Sequence, residues 1–131
     1  MADRIFGVDD KIQKFITPDP TEAFSIALGY YLSGKKSILI LSKSILLNSV
    51  AHLNDLKIKE IPLPIFIGEQ FNLFTEPVTE LKIRKVLRGI GIPFFIIRKK
   101  TRLKKIADII SFAEVLKCPA VFCVENNLWR K

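Results

Sequence analysis

Short apolar segments alternate with segments of helical period along the chain, and this alternation limits the fold more than any other feature. Five runs rich in β-branched and aromatic residues are predicted as strands: residues 4–8, 37–41, 63–67, 93–97 and 120–124. Each run is apolar almost throughout, which is typical of a parallel sheet that is covered on both faces. Each is also far shorter than the about 20 apolar residues of a transmembrane helix, so we expect no membrane span.

The segments between these strands have the period of amphipathic helices. Helices are predicted over residues 20–33, 45–56 and 101–117. In the first helix five residues are expected to face the sheet: Ala23, Ile26, Ala27, Tyr30 and Tyr31. Alternating strands and helices with right-handed crossovers predict the α/β class, specifically a three-layer α/β/α sandwich around a mainly parallel sheet of about five strands. No linker or repeat interrupts the pattern, so residues 1–131 are expected to form a single domain.

The start of the first helix has a capping pattern. Asp19 stands at the N-cap, Pro20 at the first helical position, and Glu22 three residues after the cap. We expect Asp19 and Glu22 to accept hydrogen bonds from the free backbone N–H groups of the first turn.

The stretch "GYYLSGKKS" (29–37) nearly matches the pattern of a phosphate-binding loop. Such a loop follows a strand and opens a helix, so that free N–H groups meet the phosphate. Here the stretch closes a helix and leads into a strand, and Gly34 suits a left-handed turn at the helix end. The sequence therefore predicts a helix terminus and no nucleotide site.

Lysine and arginine number 21 against 13 acidic residues, for a net charge of +8. The excess invites an anionic partner such as nucleic acid or a phosphorylated or sulfonated substrate. One basic run follows a predicted strand and opens a helix, where a bound anion would offset the unfavourable helix dipole. The candidate anion-binding residues are Arg98, Lys99, Lys100 and Arg102. A solvated basic surface is the alternative.

The remaining reactive residues form no recognisable site. Cys118 and Cys123 are predicted to be small buried hydrophobic residues, and they stand at an odd offset that hinders a disulfide in an extended segment. His52 is predicted on a helix surface, with no nucleophile beside it for a catalytic triad. No second cluster of cysteine or histidine completes a set of ligands, so we expect no metal site. The first ten residues lack the pattern of a signal peptide, and we expect a cytoplasmic protein.

Several segments in order resemble the small pyrimidine-binding (alpha) subunit of sulfopyruvate decarboxylase and its phosphonopyruvate decarboxylase relatives. These segments are "EAFSIALGYYLSGKKSILIL", "NSVAHLNDLKIKEIPLPIFIG", "GIPFFII" and "IADIISFAEVLKCPAVFCVE". The resemblance covers roughly residues 16–125. It implies the pyrimidine-type module of the thiamine-diphosphate-binding fold.

The resemblance also implies a partner. In that family a separate module supplies the Gly-Asp-Gly segment that holds Mg²⁺ and the diphosphate, and this sequence contains no Gly-Asp-Gly. Thiamine diphosphate and Mg²⁺ are therefore expected only together with a partner chain. The expected assembly is a homo-oligomer, or a hetero-oligomer with a diphosphate-binding subunit.

The family's key acid is a glutamate that hydrogen-bonds the aminopyrimidine ring of the cofactor. By resemblance it lies nine residues before the glycine that matches Gly29, where this chain has Pro20. Glu22 is the nearest acid, and it takes the catalytic role only if the register shifts. A capping role is the favoured alternative.

A second departure concerns a "SSGLGNS"-like turn near the cofactor. The matching stretch is "SKSILLNS" (42–49), with Ile45 and Leu47 at the two glycine positions. Glycine allows backbone to approach a ligand closely, and branched side chains fill that space. The candidate cofactor-binding residues are Ser44, Asn48, Ser49 and Glu69, of which Glu69 follows the predicted strand 63–67. The alternative is that the serines at the start of this stretch, Ser42 or Ser44, cap the following helix.

The resemblance also implies that the N-terminal strand-helix unit before Pro20 is shortened. Together these departures predict a degenerate module related to thiamine-diphosphate-dependent 2-oxoacid decarboxylases. Two alternatives stay open: a non-catalytic binding or regulatory protein of the same fold, and a basic α/β module that binds nucleic acid.

Overall fold

A computed structural model describes residues 15–68, 80–98 and 106–124, and within these ranges strands and helices alternate. The strands are β1 (Leu39–Ser42), β2 (Pro64–Gly68), β3 (Phe94–Ile97) and β4 (Ala120–Val124). The helices are α1 (Pro20–Leu32), α2 (Lys43–Leu47), α3 (Val50–Ile58), α4 (Glu80–Ile90) and α5 (Ile106–Leu116).

The four described strands form one parallel sheet in the order β1-β2-β4-β3. The last described strand therefore lies inside the sheet, where Val121 is opposite both Ile65 of β2 and Phe94 of β3. The predicted α/β class and parallel sheet are confirmed. The predicted strand at 4–8 lies outside the described residues.

Helices cover both faces of the sheet. The inner residues of α1 to α4 pack on one face, against side chains such as Ile65, Ile67 and Val121 that are fully buried. On the other face α5 contributes Ala113 to a cluster around Phe66 and Phe122. The expected three-layer arrangement is thus present in the described part of the chain.

Two helical regions differ from the prediction. The helix predicted over 45–56 is divided into α2 and α3, and Asn48 is the C-cap of α2 while Ser49 is the N-cap of α3. Helix α4 was not predicted, although Ile83 and Leu87 lie on one side of it and are fully buried. The basic residues of this segment were interpreted only as a source of positive charge. The helical spacing of the apolar residues Ile83 and Leu87 among them was missed.

The side of α1 that faces the sheet was predicted only in part. Phe24 and Ala27 are the buried residues of α1, whereas Tyr31 is 38% exposed. The phenylalanine fills more of the core than either tyrosine and leaves no hydroxyl to satisfy there. Burial is therefore centred on Phe24 and Ala27, so the predicted stripe is right at Ala23 and Ala27 and wrong at Tyr31.

Four of the five described helices end with the same geometry. A residue of positive φ follows α1, α3, α4 and α5: Gly34, Glu60, Gly91 and Lys117. After α1, for example, the N–H of Lys35 donates to the carbonyl of Tyr30 at 2.9 Å, as in a Schellman motif. The predicted helix terminus at Gly34 is confirmed, and the phosphate-loop geometry is excluded at this position.

Candidate functional site

The carboxyl end of β1 leads directly into α2 through a serine cap. The backbone N–H of Ile45 donates to the Ser42 hydroxyl at 3.3 Å, and the Ser42 and Ser44 hydroxyls lie 3.3 Å apart. Carboxyl ends of strands are where ligands bind in open α/β sheets. The capping alternative thus holds for Ser42, while Ser44 lies half-buried beside it at the same edge.

Asn48 and Ser49 occupy the break between α2 and α3. The Asn48 side chain is exposed. Ser49 is 1% exposed, and its hydroxyl donates to the Ile45 carbonyl at 2.6 Å. A ligand would meet Asn48 without rearrangement, whereas Ser49 already uses its hydroxyl within the fold. Contact with a cofactor stays a prediction for both.

Two positions of the stretch 42–49 are glycines in the turn of the family that the sequence resembles. In this chain both positions carry side chains that are packed into the protein. Ile45 and Leu47 are both partly buried against the larger hydrophobic core. Apolar side chains at these positions contribute about 25 cal/mol per Å² of surface that they remove from water. Both side chains are therefore part of the packed core in the described residues.

The N-terminus of α1 has a modified capping arrangement. The N–H of Thr21 donates to Asp19 Oδ1 at 3.0 Å, which confirms Asp19 as the N-cap. The predicted return bond from Glu22 is wrong: the Asp19 N–H donates instead to Thr17 Oγ1 at 3.2 Å. The Thr17 hydroxyl in turn donates to Glu22 Oε2 at 2.9 Å. The Thr17 hydroxyl thus accepts the backbone hydrogen bond that the Glu22 carboxylate was expected to accept.

Glu22 is exposed, and Pro20 holds the first helical position. A catalytic role for Glu22 stays a prediction.

His52 connects α3 to α1 through a stacked ring pair. Its imidazole lies 5.1 Å from the Phe24 ring at an interplanar angle of 19°, and Nε2 is 3.3 Å from Thr21 Oγ1. His52 is half-buried, so the expectation of a plain surface residue understates its packing role. The stacked pair occupies the side of α1 next to Pro20.

A second polar group forms where β3, β4 and α4 meet. Arg98 Nη2 lies 3.3 Å from Glu80 Oε2, and Cys123 Sγ lies 3.9 Å from Glu80 Oε1. Glu80 opens α4, where a negative charge suits the positive end of the helix dipole. Arg98, a predicted anion ligand, is thus ion-paired, with a side chain that remains 56% exposed.

Sequence reasoning missed Glu80 and also Lys43, which is only 5% exposed at the start of α2. Lys43 takes part in an interaction within the fold. The signal for it was available, because a lysine placed directly between a strand and a helix lies at the functional edge of an α/β sheet. The other predicted anion ligands, Lys99, Lys100 and Arg102, lie outside the described residues, as does Glu69.

The two cysteines differ in burial. Cys123 is buried in β4, as predicted, while Cys118 is only half-buried before that strand. Burial raises the pKa of the Cys118 thiol above its ordinary value of 9.0, and the nearby positive charge of Lys57 opposes part of this rise. A raised pKa leaves less thiolate at neutral pH, which does not suit a nucleophile.

Within the described ranges, no group of three histidine, cysteine or acidic side chains lies close enough together to hold a metal ion. The same ranges contain no helix with the length and hydropathy to cross a bilayer.

Comparison with known proteins finds a similarity of fold alone. No protein-family model matches the sequence, and no curated protein matches it. Among solved structures, the fold is similar to benzoylformate decarboxylase from Polynucleobacter necessarius, with a TM-score of 0.55 and 15% sequence identity. The likeness covers 79% of this chain but only 22% of the decarboxylase chain. The chain therefore has the α/β fold expected from its resemblance to thiamine-diphosphate-binding modules, and it spans about a fifth of the length of that enzyme.

Proposed function

We propose that this chain is a pyrimidine-type module related to thiamine-diphosphate-dependent 2-oxoacid decarboxylases, which has lost the activating acid and functions by association with a partner subunit. The fold likeness to benzoylformate decarboxylase is the observation that carries the proposal. A likeness at 15% identity supports the fold alone. The assignment to the pyrimidine-type module rests on the sequence resemblance to the alpha subunits.

The extent of the likeness supports the need for a partner. The chain corresponds to 22% of the decarboxylase, and its 131 residues include no Gly-Asp-Gly. A site for the diphosphate and its Mg²⁺ would therefore be contributed by another module.

Three features support the loss of the activating acid. Pro20 replaces the acid, Glu22 is engaged with Thr17, and Ile45 and Leu47 are packed into the core. These changes affect the two segments that the resemblance places beside the cofactor. The combination favours a binding or regulatory role over independent catalysis.

The test is titration calorimetry with thiamine diphosphate and Mg²⁺, using the chain alone and the chain mixed with a Gly-Asp-Gly subunit from the same source. We expect no heat of cofactor binding from the chain alone and measurable binding from the mixture. Decarboxylation of a 2-oxoacid by the chain alone would contradict the proposal, as would a partner whose cofactor binding is indifferent to this chain.

A restored acid tests the second part of the proposal. Pro20→Glu places a carboxylate in the first turn of α1, where acids are favourable. Pro20→Gln is the matched control, with the same shape and no charge. We expect Pro20→Glu, and not Pro20→Gln, to raise the 2-oxoacid decarboxylase activity of the assembled complex.

A further inference from the structure

Positive charge in the described part of the chain is concentrated on α4 and β3. Residues 80–98 carry five lysine and arginine side chains against one acidic side chain. The other described ranges carry six side chains of each sign, so their charges balance. The asymmetry therefore belongs to one helix and the strand that follows it.

Three of these basic residues share the outward side of α4. Ile83 and Leu87 are buried on its inner side, whereas Arg84, Lys85 and Arg88 are exposed. Residues three and four apart are neighbours on a helix, so Arg88 lies beside both other basic residues. Like charges at this spacing repel each other and destabilise the helix. An anion that lies against them would relieve this repulsion.

Carboxylates of the described residues do not neutralise these three side chains. The ion pairs formed within the described ranges join other residues. Arg98, by contrast, pairs with Glu80 at the start of the same helix. The outward side of α4 therefore keeps its positive charge for a partner.

Arg84 also contacts an aromatic ring. Its guanidinium carbon lies over the ring of Phe94, 5.3 Å from the ring centre, and Phe94 is the half-buried first residue of β3. The cation–π contact holds the exposed guanidinium beside the edge of the sheet. Bases of single-stranded nucleic acid stack on arginine planes and on aromatic rings. The pair thus offers a position for a base next to the positive charges.

The arrangement of the charges suits a polyanion better than one small anion. Consecutive residues of a helix point about 100° apart, so Arg84 and Lys85 do not converge on one point. From Arg84 to Arg88 the helix rises about 6 Å. A strand of phosphates that crosses the helix can contact such a row of charges, since basic surfaces that bind single strands follow the backbone.

The apolar residues of α4 do not suit a lipid surface. Helices that lie in a membrane interface place their apolar side in the lipid. Ile83 and Leu87 are instead buried in the protein core. Leu81, 59% exposed, is the one large apolar side chain of α4 that is left on the outer side.

From the charges without an ion pair and the Arg84–Phe94 contact, we propose that the outward side of α4 binds single-stranded nucleic acid. Phosphates lie against Lys85 and Arg88, and a base stacks at Arg84. Phosphate contacts and stacking carry little sequence information, so we expect no strong sequence preference. The proposal requires neither cofactor nor partner subunit, and its failure would leave the function proposed above unaffected.

The first experiment is fluorescence anisotropy of a labelled oligouridine of about 15 nucleotides, titrated with the full chain at about 50 and about 200 mM salt. We expect binding at the lower salt that weakens at the higher. Replacing Arg84, Lys85 and Arg88 together by glutamine should weaken binding at low salt about tenfold or more. The slope of log affinity against log salt should become shallower by about 2, since each phosphate contact of a single strand contributes about 0.7.

The matched control removes the same number of charges elsewhere. Lys35, Lys36 and Lys59 are exposed, and their joint replacement by glutamine changes the net charge equally. We expect the control to change the affinity by less than about threefold. Circular dichroism checks that both variants fold, since glutamine is a good helix former. Equal losses in the two variants would overturn the proposal, and so would a wild type that does not bind oligouridine at low salt.

A single substitution tests the stacked base. Arg84→Lys keeps the charge but removes the flat guanidinium. We expect the affinity for oligouridine to fall about fivefold or more. The affinity for inorganic polyphosphate, which has phosphates and no bases, should not change in titration calorimetry. Equal losses for both polyanions would contradict a base at Arg84.

Two further probes separate nucleic acid from other anionic partners. Vesicles that contain phosphatidylserine represent a lipid surface, and poly-glutamate represents an acidic protein. We expect both to bind more weakly than oligouridine at the same salt concentration. Tighter binding of either probe would assign the surface to that class of partner and overturn the proposal.

Discussion

The ammonium group of Lys57 donates to the carbonyl oxygen of Ile90 at 2.7 Å, so a lysine from the last turn of α3 caps the C-terminus of α4. The two residues are distant in sequence, and their contact joins two neighbouring helices on one face of the sheet. A positive charge at the C-terminal end of a helix stabilises the carbonyls that have no partner within the helix. The contact is half-buried, which strengthens it relative to a surface pair.

Lys57→Met should lower the free energy of unfolding by about 1–2 kcal/mol, because it keeps the aliphatic stem but removes the charge and the donor. Urea denaturation measures the change. Lys59→Met is the matched control: Lys59 pairs with Asp55 at 2.9 Å, but both side chains are more than half exposed. Its loss should cost no more than about 0.5 kcal/mol. Equal effects of the two substitutions would contradict the capping role.

Three glycines of this chain should respond differently to alanine. Gly89 is helical with open space around it, so Gly89→Ala should raise stability by about 1 kcal/mol. Gly34 has φ of +84° and open space, so Gly34→Ala should cost about 1 kcal/mol of backbone strain. Gly91 has φ of +73°, and a Cβ there would collide with the Lys57 ammonium. That ammonium ends a flexible side chain and can move aside, so Gly91→Ala should cost the backbone strain plus the Lys57–Ile90 hydrogen bond, about 2 kcal/mol in total.

Thermal unfolding of the three alanine variants checks this order. The prediction would be wrong if Gly91→Ala were no more destabilising than Gly34→Ala, because the two differ mainly in the presence of Lys57.

Two neighbouring serines separate a capping role from a ligand-binding role. Ser42→Ala should cost about 1 kcal/mol, since it removes the N-cap of α2. Ser44→Ala should change stability by less than about 0.5 kcal/mol. If Ser44 contacts the cofactor, the same substitution should lower the affinity of the assembled complex for thiamine diphosphate. Calorimetry of that complex and urea denaturation of the chain give the two readouts.

Stability at alkaline pH should depend on Cys118. Burial holds the thiol pKa of the folded state above 9.0, so the unfolded chain loses its proton first as the pH rises. The folded state then binds more protons than the unfolded state, and the free energy of unfolding falls from about pH 9 upward. Cys118→Ala should lack this contribution, so its stability should decline less between pH 8 and pH 10.5 than that of the wild type. Parallel curves for the two proteins would exclude the effect.

Local signals were sufficient to predict much of the fold. Gly34 and the lysines after it predict the end of α1, and the end occurs there with the expected left-handed turn. The apolar run at 63–67 predicts a buried strand, and Phe66 within it has no exposed surface. Both features depend on residues that are close in sequence, where propensity and patterning determine the outcome.

Features that depend on distant residues were not predicted. The Glu80, Arg98 and Cys123 group exists because β4 inserts between β2 and β3, and no local pattern specifies this order. The break before α3 was missed for a different reason. The apolar period continues through it, while the division comes from Asn48 and from the Ser49 hydroxyl, which turns back to the Ile45 carbonyl.

The strand order has a consequence for folding during synthesis on the ribosome. β3 pairs only with β4 among the described strands, and β2 meets β4 across a long stretch of intervening chain. Nascent polypeptide that ends before Ala120 would hold β1 and β2 together but leave β3 without a neighbour. Closing such long loops slows the assembly of parallel sheets. Chaperones that shield exposed apolar segments would therefore have most to bind in the interval before β4 emerges.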